Sequence, residues 1–287
     1  MIVKKYENAS SYLHDQEAAL LEHEAVSQLV LYSAYKNLDV ASNDKCVFGA
    51  VMDEEKPVLH FCNVTPDNMA IYAENHPKES IAKASALLAD YMANNHIPLI
   101  GLNAGQDICQ AFIEQYKKLT NSTFLEKLGM DIMEIRKVND ITPVEGQHRL
   151  AVPEEVKLIT DWMISFRLEA LASEINYETA LERATKLIEE NKFHIYEDKG
   201  QQAVSMAAVA RQLIHGIVID YVYTPEEFRG KGYAAANVYY ICKEYLEQGT
   251  EFCTLFVDKR NPLSTRAYEK VGFRVLEDDY EYKILPV

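Results

Sequence analysis

The segment Phe228 to Asn237, with the sequence FRGKGYAAAN, constrains the fold most strongly, because it lies between a strand-like run and a helix-like run. Upstream, Ile214 to Tyr223 is rich in β-branched and aromatic residues, which predicts a strand. Downstream, apolar residues recur at helical spacing from Tyr233 to Gln248. A turn that leads into a helix presents N–H groups without helical partners, so this turn is suited to bind a phosphate or pyrophosphate.

Three kinds of phosphate-binding turn compete for this segment, and the first is a Walker loop. That pattern requires a glycine five residues before Gly230 and a serine or threonine after Lys231. The chain has Pro225 and Gly232 at those positions. A Walker loop is therefore excluded.

The second alternative is a dinucleotide-binding turn. Gly230, Gly232 and Ala235 formally match the G-x-G-x-x-[GA] pattern, and Asp258 ends the next strand-like run at a suitable distance. In such sites the glycines normally follow the strand directly, whereas here Thr224 to Arg229 intervene. The third alternative, an acyl-coenzyme A turn, fits that spacer better, and the dinucleotide alternative stays open.

A pair of motifs carries a resemblance to a known family. Arg229, Gly232 and Ala234 give R-x-x-G-x-A, which resembles the [QR]-x-x-G-x-[GA] turn of the GNAT superfamily of acetyl-coenzyme A dependent N-acetyltransferases. After the strand-like run Phe252 to Asp258, a second block resembles the family's N-x-x-S-x-x-x-Y-x-x-x-G-F signature. Its members are Asn261, Ser264, Tyr268, Gly272 and Phe273. Two motifs in the family's order are more specific than either alone.

The resemblance implies an α/β fold with a GNAT-like mixed central sheet flanked by helices, and acetyl-coenzyme A as the cosubstrate. It places the pantetheine along the predicted strand and the pyrophosphate on the amides of the turn. The residues expected to contact the coenzyme are Val222, Tyr223, Arg229, Gly230, Lys231, Gly232, Tyr233, Ala234, Asn261 and Ser264. Asn261 and Ser264 are also expected to start a helix, with Pro262 in its first turn.

Amide formation requires a proton donor for the leaving thiolate and a route for the proton of the amine. The resemblance assigns the first role to Tyr268. Asp220 is the first candidate for the general base, because it interrupts an otherwise apolar strand beside the expected coenzyme site. A chain of water molecules without a single base is an alternative. The rival bases are Glu226, Glu227, Glu174 and His215.

The chain has 287 residues, enough for two ordinary domains. The polar segment Lys137 to Gln147 is the best linker, so we expect two tandem α/β domains at 1–140 and 141–287. The first half repeats the predicted element order, but Asn75 to Ala84 has no glycine or arginine at the phosphate positions. We therefore expect a degenerate GNAT-like repeat, or an unrelated α/β cap, that binds no coenzyme A.

The composition limits the classes of molecule that we expect the protein to bind. The formal charge of −15 opposes binding to nucleic acid or to an anionic membrane, and it favours a cationic acceptor or simply aids solubility. No run is apolar enough for a secretory signal or a bilayer span, so we expect a cytoplasmic protein. The cysteines form no C-x-x-C pair and no histidine lies at ligand spacing, so no metal is expected.

The sequence thus predicts an N-acetyltransferase that transfers an acetyl group to a primary amine of a small molecule or peptide, without a covalent enzyme intermediate. A coenzyme A binding or sensing protein without turnover is the alternative from another class, and an NAD-type dinucleotide-binding protein is a further one.

Overall fold

The computed structural model describes residues 1–43, 45–171 and 173–285. The chain divides into two compact units. The first comprises Met1–Asp131 together with the chain from Glu277 onward, and the second comprises Ile132–Leu276. The chain leaves the first unit within strand β6 (Thr123–Ile135) and returns to it within strand β12 (Arg274–Leu285).

The first unit is a mixed sheet with helices. Its remaining elements are β1 (Ile2–Lys5), α1 (Ala9–Glu22), α2 (Glu24–Lys36), β2 (Cys46–Asp53), β3 (Lys56–Val64), β4 (Met69–Ala73), α3 (Lys78–Asn94), β5 (Gly101–Ala104) and α4 (Gln106–Leu119). Strands β1 to β4 pair in sequence order and antiparallel, whereas β4 and β5 are parallel. Successive side chains of a strand point to opposite faces. Val47 accordingly packs with the residues of α3 and α4, and Phe48 packs with those of α1 and α2.

The second unit is also a mixed sheet with helices. Its remaining elements are β7 (Gln147–Leu150), α5 (Val156–Leu171), α6 (Tyr177–Glu189), β8 (Phe193–Glu197), β9 (Ala203–Gln212), β10 (Gly216–Tyr223), α7 (Tyr233–Glu247), β11 (Phe252–Asp258) and α8 (Pro262–Val271). Strands β7 to β10 are antiparallel neighbours, and β10 and β11 are parallel. One apolar cluster joins this sheet to α7 and α8 through Ile219, Ile241 and Val271, and another joins it to α5 and α6.

The two halves of the chain repeat one order of elements: a strand, two helices, three strands, a helix, a strand, a helix and a strand. In the first half this order runs from β1 to β6, and in the second from β7 to β12. The predicted α/β class with a mixed sheet flanked by helices is confirmed. Within the described ranges, no helix is both long and apolar enough to cross a membrane.

Candidate active site

Strands β10 and β11 separate partway along their length. Their parallel ladder runs from Gly216 opposite Phe252 to Ile219 opposite Leu255. Strand β10 then continues to Tyr223 and β11 to Asp258, beyond the end of that ladder. The backbone of β10 after Ile219 can therefore pair with an extended ligand, as an added strand would.

A β-bulge lies in the same part of β10. Asp220 is opposite Ala208 and Tyr223 is opposite Met206, so β10 has one more residue than β9 between these pairs. Tyr221 takes up the extra length with a φ of +53°, which is uncommon for a residue with a side chain. Its N–H donates to Asp220 Oδ1 at 2.7 Å. The Asp220 side chain thus stabilises the bulge that shapes this edge of β10.

The turn after β10 is built from a short 3₁₀ helix and two glycines. The 3₁₀ helix is Glu226–Phe228, and Gly230 and Gly232 follow with φ of +76° and +87°. Helix α7 begins after Gly232, and its first internal hydrogen bond runs from Ala236 N to Gly232 O at 3.0 Å. The N–H groups before Ala236 therefore have no acceptor within the helix, and this cradle of N–H donors is suited to an anion.

Two cationic side chains flank this cradle. Arg229 donates from Nε to Thr224 O at 2.9 Å, and its guanidinium forms an ion pair with Glu169 of α5. Glu169 also accepts a hydrogen bond from the Tyr223 hydroxyl at 2.8 Å. Burial would raise the pKa of Glu169, but the hydrogen bonds from Arg229 and Tyr223 outweigh it and lower that pKa. Lys231 is exposed, and its Nζ lies 3.3 Å from Glu227 O.

The first turn of α7 is held by aromatic contacts. The ring of Tyr233 lies 6.0 Å from that of Tyr196, whose hydroxyl donates to Val144 O. Ala234 follows Tyr233 and is half-buried. At Gly232 an added Cβ would meet Val144 at 3.9 Å, an ordinary contact, so the positive φ explains the glycine better than crowding does. The predicted coenzyme residues 229–234 thus form one continuous turn.

Tyr268 lies in α8 and is only 7% exposed. Its ring centroid is 5.9 Å from that of Phe273. Burial raises the pKa of Tyr268, and the negative charge of Asp220 in its surroundings raises it further. The phenol therefore stays protonated at neutral pH. The structure brings Tyr268 close enough to Asp220 for the carboxylate charge to act on the phenol.

The rival bases lie in different places. Glu226 and Glu227 are exposed on the 3₁₀ helix, and Glu174 is exposed between α5 and α6. His215 directly precedes β10, about 16 Å from Asp220 along the strand at ~3.3 Å per residue. Of these candidates, Asp220 is the one that sits in the bulge.

The second sequence block forms the start of α8. Asn261 caps the helix by accepting the N–H of Ser264 at 3.2 Å, and Pro262 is its first residue, as predicted. Asp258, the acid of the dinucleotide alternative, accepts hydrogen bonds from Arg260 Nε at 3.0 Å and from its guanidinium nitrogen at 2.7 Å. That carboxylate is therefore already occupied.

Sequence reasoning missed two contributors to this region. Glu169 lies far upstream in α5, and nothing in the sequence links it to the turn. Ser205 of β9 donates from Oγ to Tyr223 O at 3.0 Å and thereby holds the end of β10. The bulge at Tyr221 was missed as well, because the residue type gives no signal for a left-handed backbone.

Part of the second unit matches a known protein family. Residues 158–273 match the model of the family described as acetyltransferase (GNAT) family. This segment is a GNAT domain. The match covers β8 to β11 and includes the bulge, the glycine turn and Tyr268. No curated protein sequence matches the chain at a significant level.

Solved structures resemble the fold of both halves of the chain. A Drosophila protein is 11% identical with a TM-score of 0.62, and the match covers 99% of each chain. A GCN5-related N-acetyltransferase from Sphaerobacter thermophilus is 15% identical with a TM-score of 0.57, covering 99% of this chain and 95% of that one. A GNAT family acetyltransferase from Colwellia psychrerythraea is 13% identical with a TM-score of 0.55, covering 99% and 100%. At such identities these similarities show the fold.

Proposed function

We propose that the protein is an acetyl-coenzyme A dependent N-acetyltransferase that acts on a primary amine. The observation that carries this proposal is the combination, at one end of β10, of a bulged edge beyond the β11 ladder and a glycine turn at the start of α7. The first suits an extended pantetheine and the second suits a pyrophosphate. Together they fit a coenzyme A molecule.

The coenzyme would bind along Val222 and Tyr223 and over the turn from Arg229 to Ala234. Backbone N–H groups of the turn would hold the pyrophosphate, with charge from Lys231 and from Arg229, which is already paired with Glu169. Asn261 and Ser264 would contribute through the start of α8. This arrangement directs the thioester toward the bulge at Asp220 and toward Tyr268.

The reaction we propose is direct attack. The amine nitrogen adds to the thioester carbonyl carbon, and backbone N–H groups of β10 stabilise the oxyanion. The C–S bond then breaks, and the leaving thiolate takes a proton from the Tyr268 hydroxyl. Asp220 accepts the proton that the amine loses, directly or through water. Tyr268 suits the donor role because a phenol is protonated at neutral pH and can give its proton to a thiolate.

The acceptor is proposed to be a small molecule or peptide with a primary amine. The formal charge of −15 favours a cationic acceptor. The cytoplasmic location stays a prediction.

The first unit is proposed not to bind coenzyme A. Its counterpart of the turn is the segment 74–77 between β4 and α3, where Glu74 Oε1 lies 3.0 Å from His60 Nε2 and His76 Nε2 lies 3.0 Å from Pro57 O. No residue of 74–78 has a positive φ, although the structure describes all of them. The segment therefore lacks the glycine geometry of the turn before α7.

Calorimetry of the full chain with acetyl-coenzyme A, coenzyme A and NAD tests the binding step. We expect one acetyl-coenzyme A per chain and no heat of binding with NAD, because Thr224 to Arg229 separate the glycines from β10, whereas in a dinucleotide-binding turn the glycines follow the strand directly. Failure to bind acetyl-coenzyme A would refute the proposal. Release of free thiol with a panel of primary amines then tests catalysis. Binding without thiol release for any amine would favour the sensing alternative.

A further inference from the structure

Two histidines and a glutamate converge in the second unit, away from the turn. His148 belongs to β7, His194 to β8 and Glu244 to α7. His194 Nδ1 and His148 Nε2 are 3.1 Å apart, and with a Glu244 carboxylate oxygen the three possible ligand atoms all lie within 4.8 Å of one another. Glu244 lies 12 residues after Gly232, which is about 18 Å along the helix.

We propose that a divalent transition-metal ion such as Zn²⁺ is bound by His148 Nε2, His194 Nδ1 and the Glu244 carboxylate. Imidazole nitrogens and a carboxylate oxygen are ligands that Zn²⁺ accepts at about 2.0–2.2 Å in a tetrahedral arrangement. Two nitrogens bound in that way are about 3.3 Å apart, close to the observed 3.1 Å. The site is independent of the proposed acetyl transfer.

The two imidazoles are held in place before any ion binds. Their rings are nearly parallel, with centroids 5.0 Å apart and an interplanar angle of 12°. Tyr240 stacks on His148 at 5.6 Å and 18°, and the edge of Tyr245 faces His194 at 6.4 Å. His194 is 1% exposed. Because both rings are already oriented, binding an ion would cost little side-chain entropy.

The protonation state also suits a metal ligand. Burial lowers the pKa of His148 to about 4. Burial, and then the charge of His148, lower the pKa of His194 to about 3. Both rings are therefore neutral at pH 7, and the one proton shared between the two ligand atoms has only to move to the other ring nitrogen before both lone pairs bind an ion. Without an ion, one ring donates its N–H to the other, and this hydrogen bond is the alternative explanation of the short contact.

The site has room for a further ligand. A surface cavity of about 320 Å³ adjoins it. The residues that line the cavity are His148, Tyr240, Lys243, Glu244, Glu247 and Gln248. Three protein ligands beside an accessible cavity are typical of a zinc site with an open coordination position for water. Glu247 lines the same cavity and offers an alternative carboxylate.

No sequence motif indicated this site, because its ligands come from three separate elements. His148 and His194 are 46 residues apart, and Glu244 follows much later. A bound ion would link α7 to β7 and β8. It would therefore stabilise the folded second unit by its own binding free energy.

Titration of the full chain with Zn²⁺ after treatment with a chelator tests the proposal. We expect one ion per chain with a dissociation constant of about 1 µM or lower, and a higher melting temperature with excess Zn²⁺. Co²⁺ should give the visible absorption bands of a four-coordinate ion. His148→Gln and Glu244→Gln should each weaken Zn²⁺ binding by about 100-fold or more.

His14→Gln is the matched control, because His14 is exposed and lies in the first unit. It should leave the affinity for Zn²⁺ unchanged. Glu244 is exposed, so Glu244→Gln should fold, and circular dichroism of the metal-free variants verifies this. The proposal is overturned if the chain binds no Zn²⁺ at micromolar concentration, or if folded Glu244→Gln and His148→Gln bind it as the unchanged chain does.

Discussion

The guanidinium of Arg229 is paired with the carboxylate of Glu169, 60 residues earlier in the chain. The pair places a negative charge beside the turn that we propose to hold a pyrophosphate. Glu169 also fixes the Tyr223 hydroxyl at the end of β10. One carboxylate thus orders both the strand end and the arginine, and at the same time reduces the positive charge available to an anion.

Replacing Glu169 by glutamine should increase the affinity for acetyl-coenzyme A. The change leaves Arg229 with its full charge, and the side chains are about half exposed, so the gain should be at most about fivefold. Arg229→Gln should weaken binding. Calorimetry at low and high salt measures both, and the difference between variants should shrink as salt rises.

The exposed pair of Lys78 and Asp107, 2.7 Å apart in the first unit, provides the control. Asp107→Asn should not change the affinity. An unaltered affinity in both Glu169→Gln and Arg229→Gln would show that the Arg229 charge plays no part in binding.

Gly232→Ala should weaken coenzyme A binding. Gly249→Ala separates this effect from a loss of stability. Gly232 and Gly249 flank α7 with φ of +87° and +99°, and neither has an atom closer than 3.9 Å to an added Cβ. Alanine at either position should therefore lower the free energy of unfolding by about 1–2 kcal/mol. Only Gly232→Ala should also reduce the affinity for acetyl-coenzyme A.

Urea unfolding and calorimetry on both variants make the comparison. Equal affinities for Gly232→Ala and Gly249→Ala would remove the turn from the binding site. A loss confined to Gly232→Ala, at matched stability, would support the turn as the anion cradle.

Local patterns predicted much of this fold. Strand β11 was predicted at its observed bounds, Phe252 to Asp258, because an apolar run between polar turns is a clear strand signal. The glycine turn and the cap at Asn261 were predicted because both depend on residue type at fixed spacing. These features are encoded within a few residues of the chain.

Features that depend on distant partners were not predictable. The short strand β7, Gln147–Leu150, is mostly polar and half-exposed, and it is a strand because it pairs with β8. The bulge at Tyr221 arises from a mismatch between β10 and β9. The Arg229 to Glu169 pair and the histidine cluster likewise join elements that only tertiary packing brings together.

Tyr268→Phe should lower turnover by about 100-fold or more, because it removes the proposed donor to the leaving thiolate. Coenzyme A affinity should stay within a factor of about two, since the ring that packs on Phe273 is kept. Tyr239→Phe is the control, because Tyr239 is buried in the same apolar cluster. Both variants are compared by kcat and by thermal unfolding. Full turnover in Tyr268→Phe would exclude the donor role.

Variants of Asp220 distinguish catalysis from support of the bulge. In the unchanged chain, Asp220 Oδ1 accepts the Tyr221 N–H at 2.7 Å. Asparagine keeps an oxygen that can accept this N–H, but it cannot act as a base. Asp220→Asn should therefore keep its melting temperature and its affinity for acetyl-coenzyme A, and lose about 100-fold in kcat. Asp220→Ala should lose kcat and also about 1 kcal/mol of stability. If asparagine retains normal turnover, Asp220 acts only through the bulge.

The half-buried His148 and the buried His194 should make the metal-free protein less stable as the pH falls. Their pKa values are lowered to about 4 and about 3, below the ordinary value of 6.5. Between pH 6.5 and about 4 the unfolded chain therefore binds protons that the folded chain does not. The free energy of unfolding decreases as the pH is lowered through this range. The slope is at most about 1.4 kcal/mol per pH unit for each imidazole. The stability from these rings is fully present above pH 6.5.

Comparison of the unchanged chain with His148→Gln isolates this effect from the carboxylates, which titrate in both. Chemical unfolding in the presence of a chelator, at steps between pH 7 and 5, gives the two slopes. The unchanged chain should lose stability more steeply, by up to about 1.4 kcal/mol per pH unit, because the variant lacks the His148 imidazole. Parallel curves would mean that His148 is protonated as readily in the folded chain as in the unfolded one, and the ring would then not be a neutral ligand at the acid end of this range.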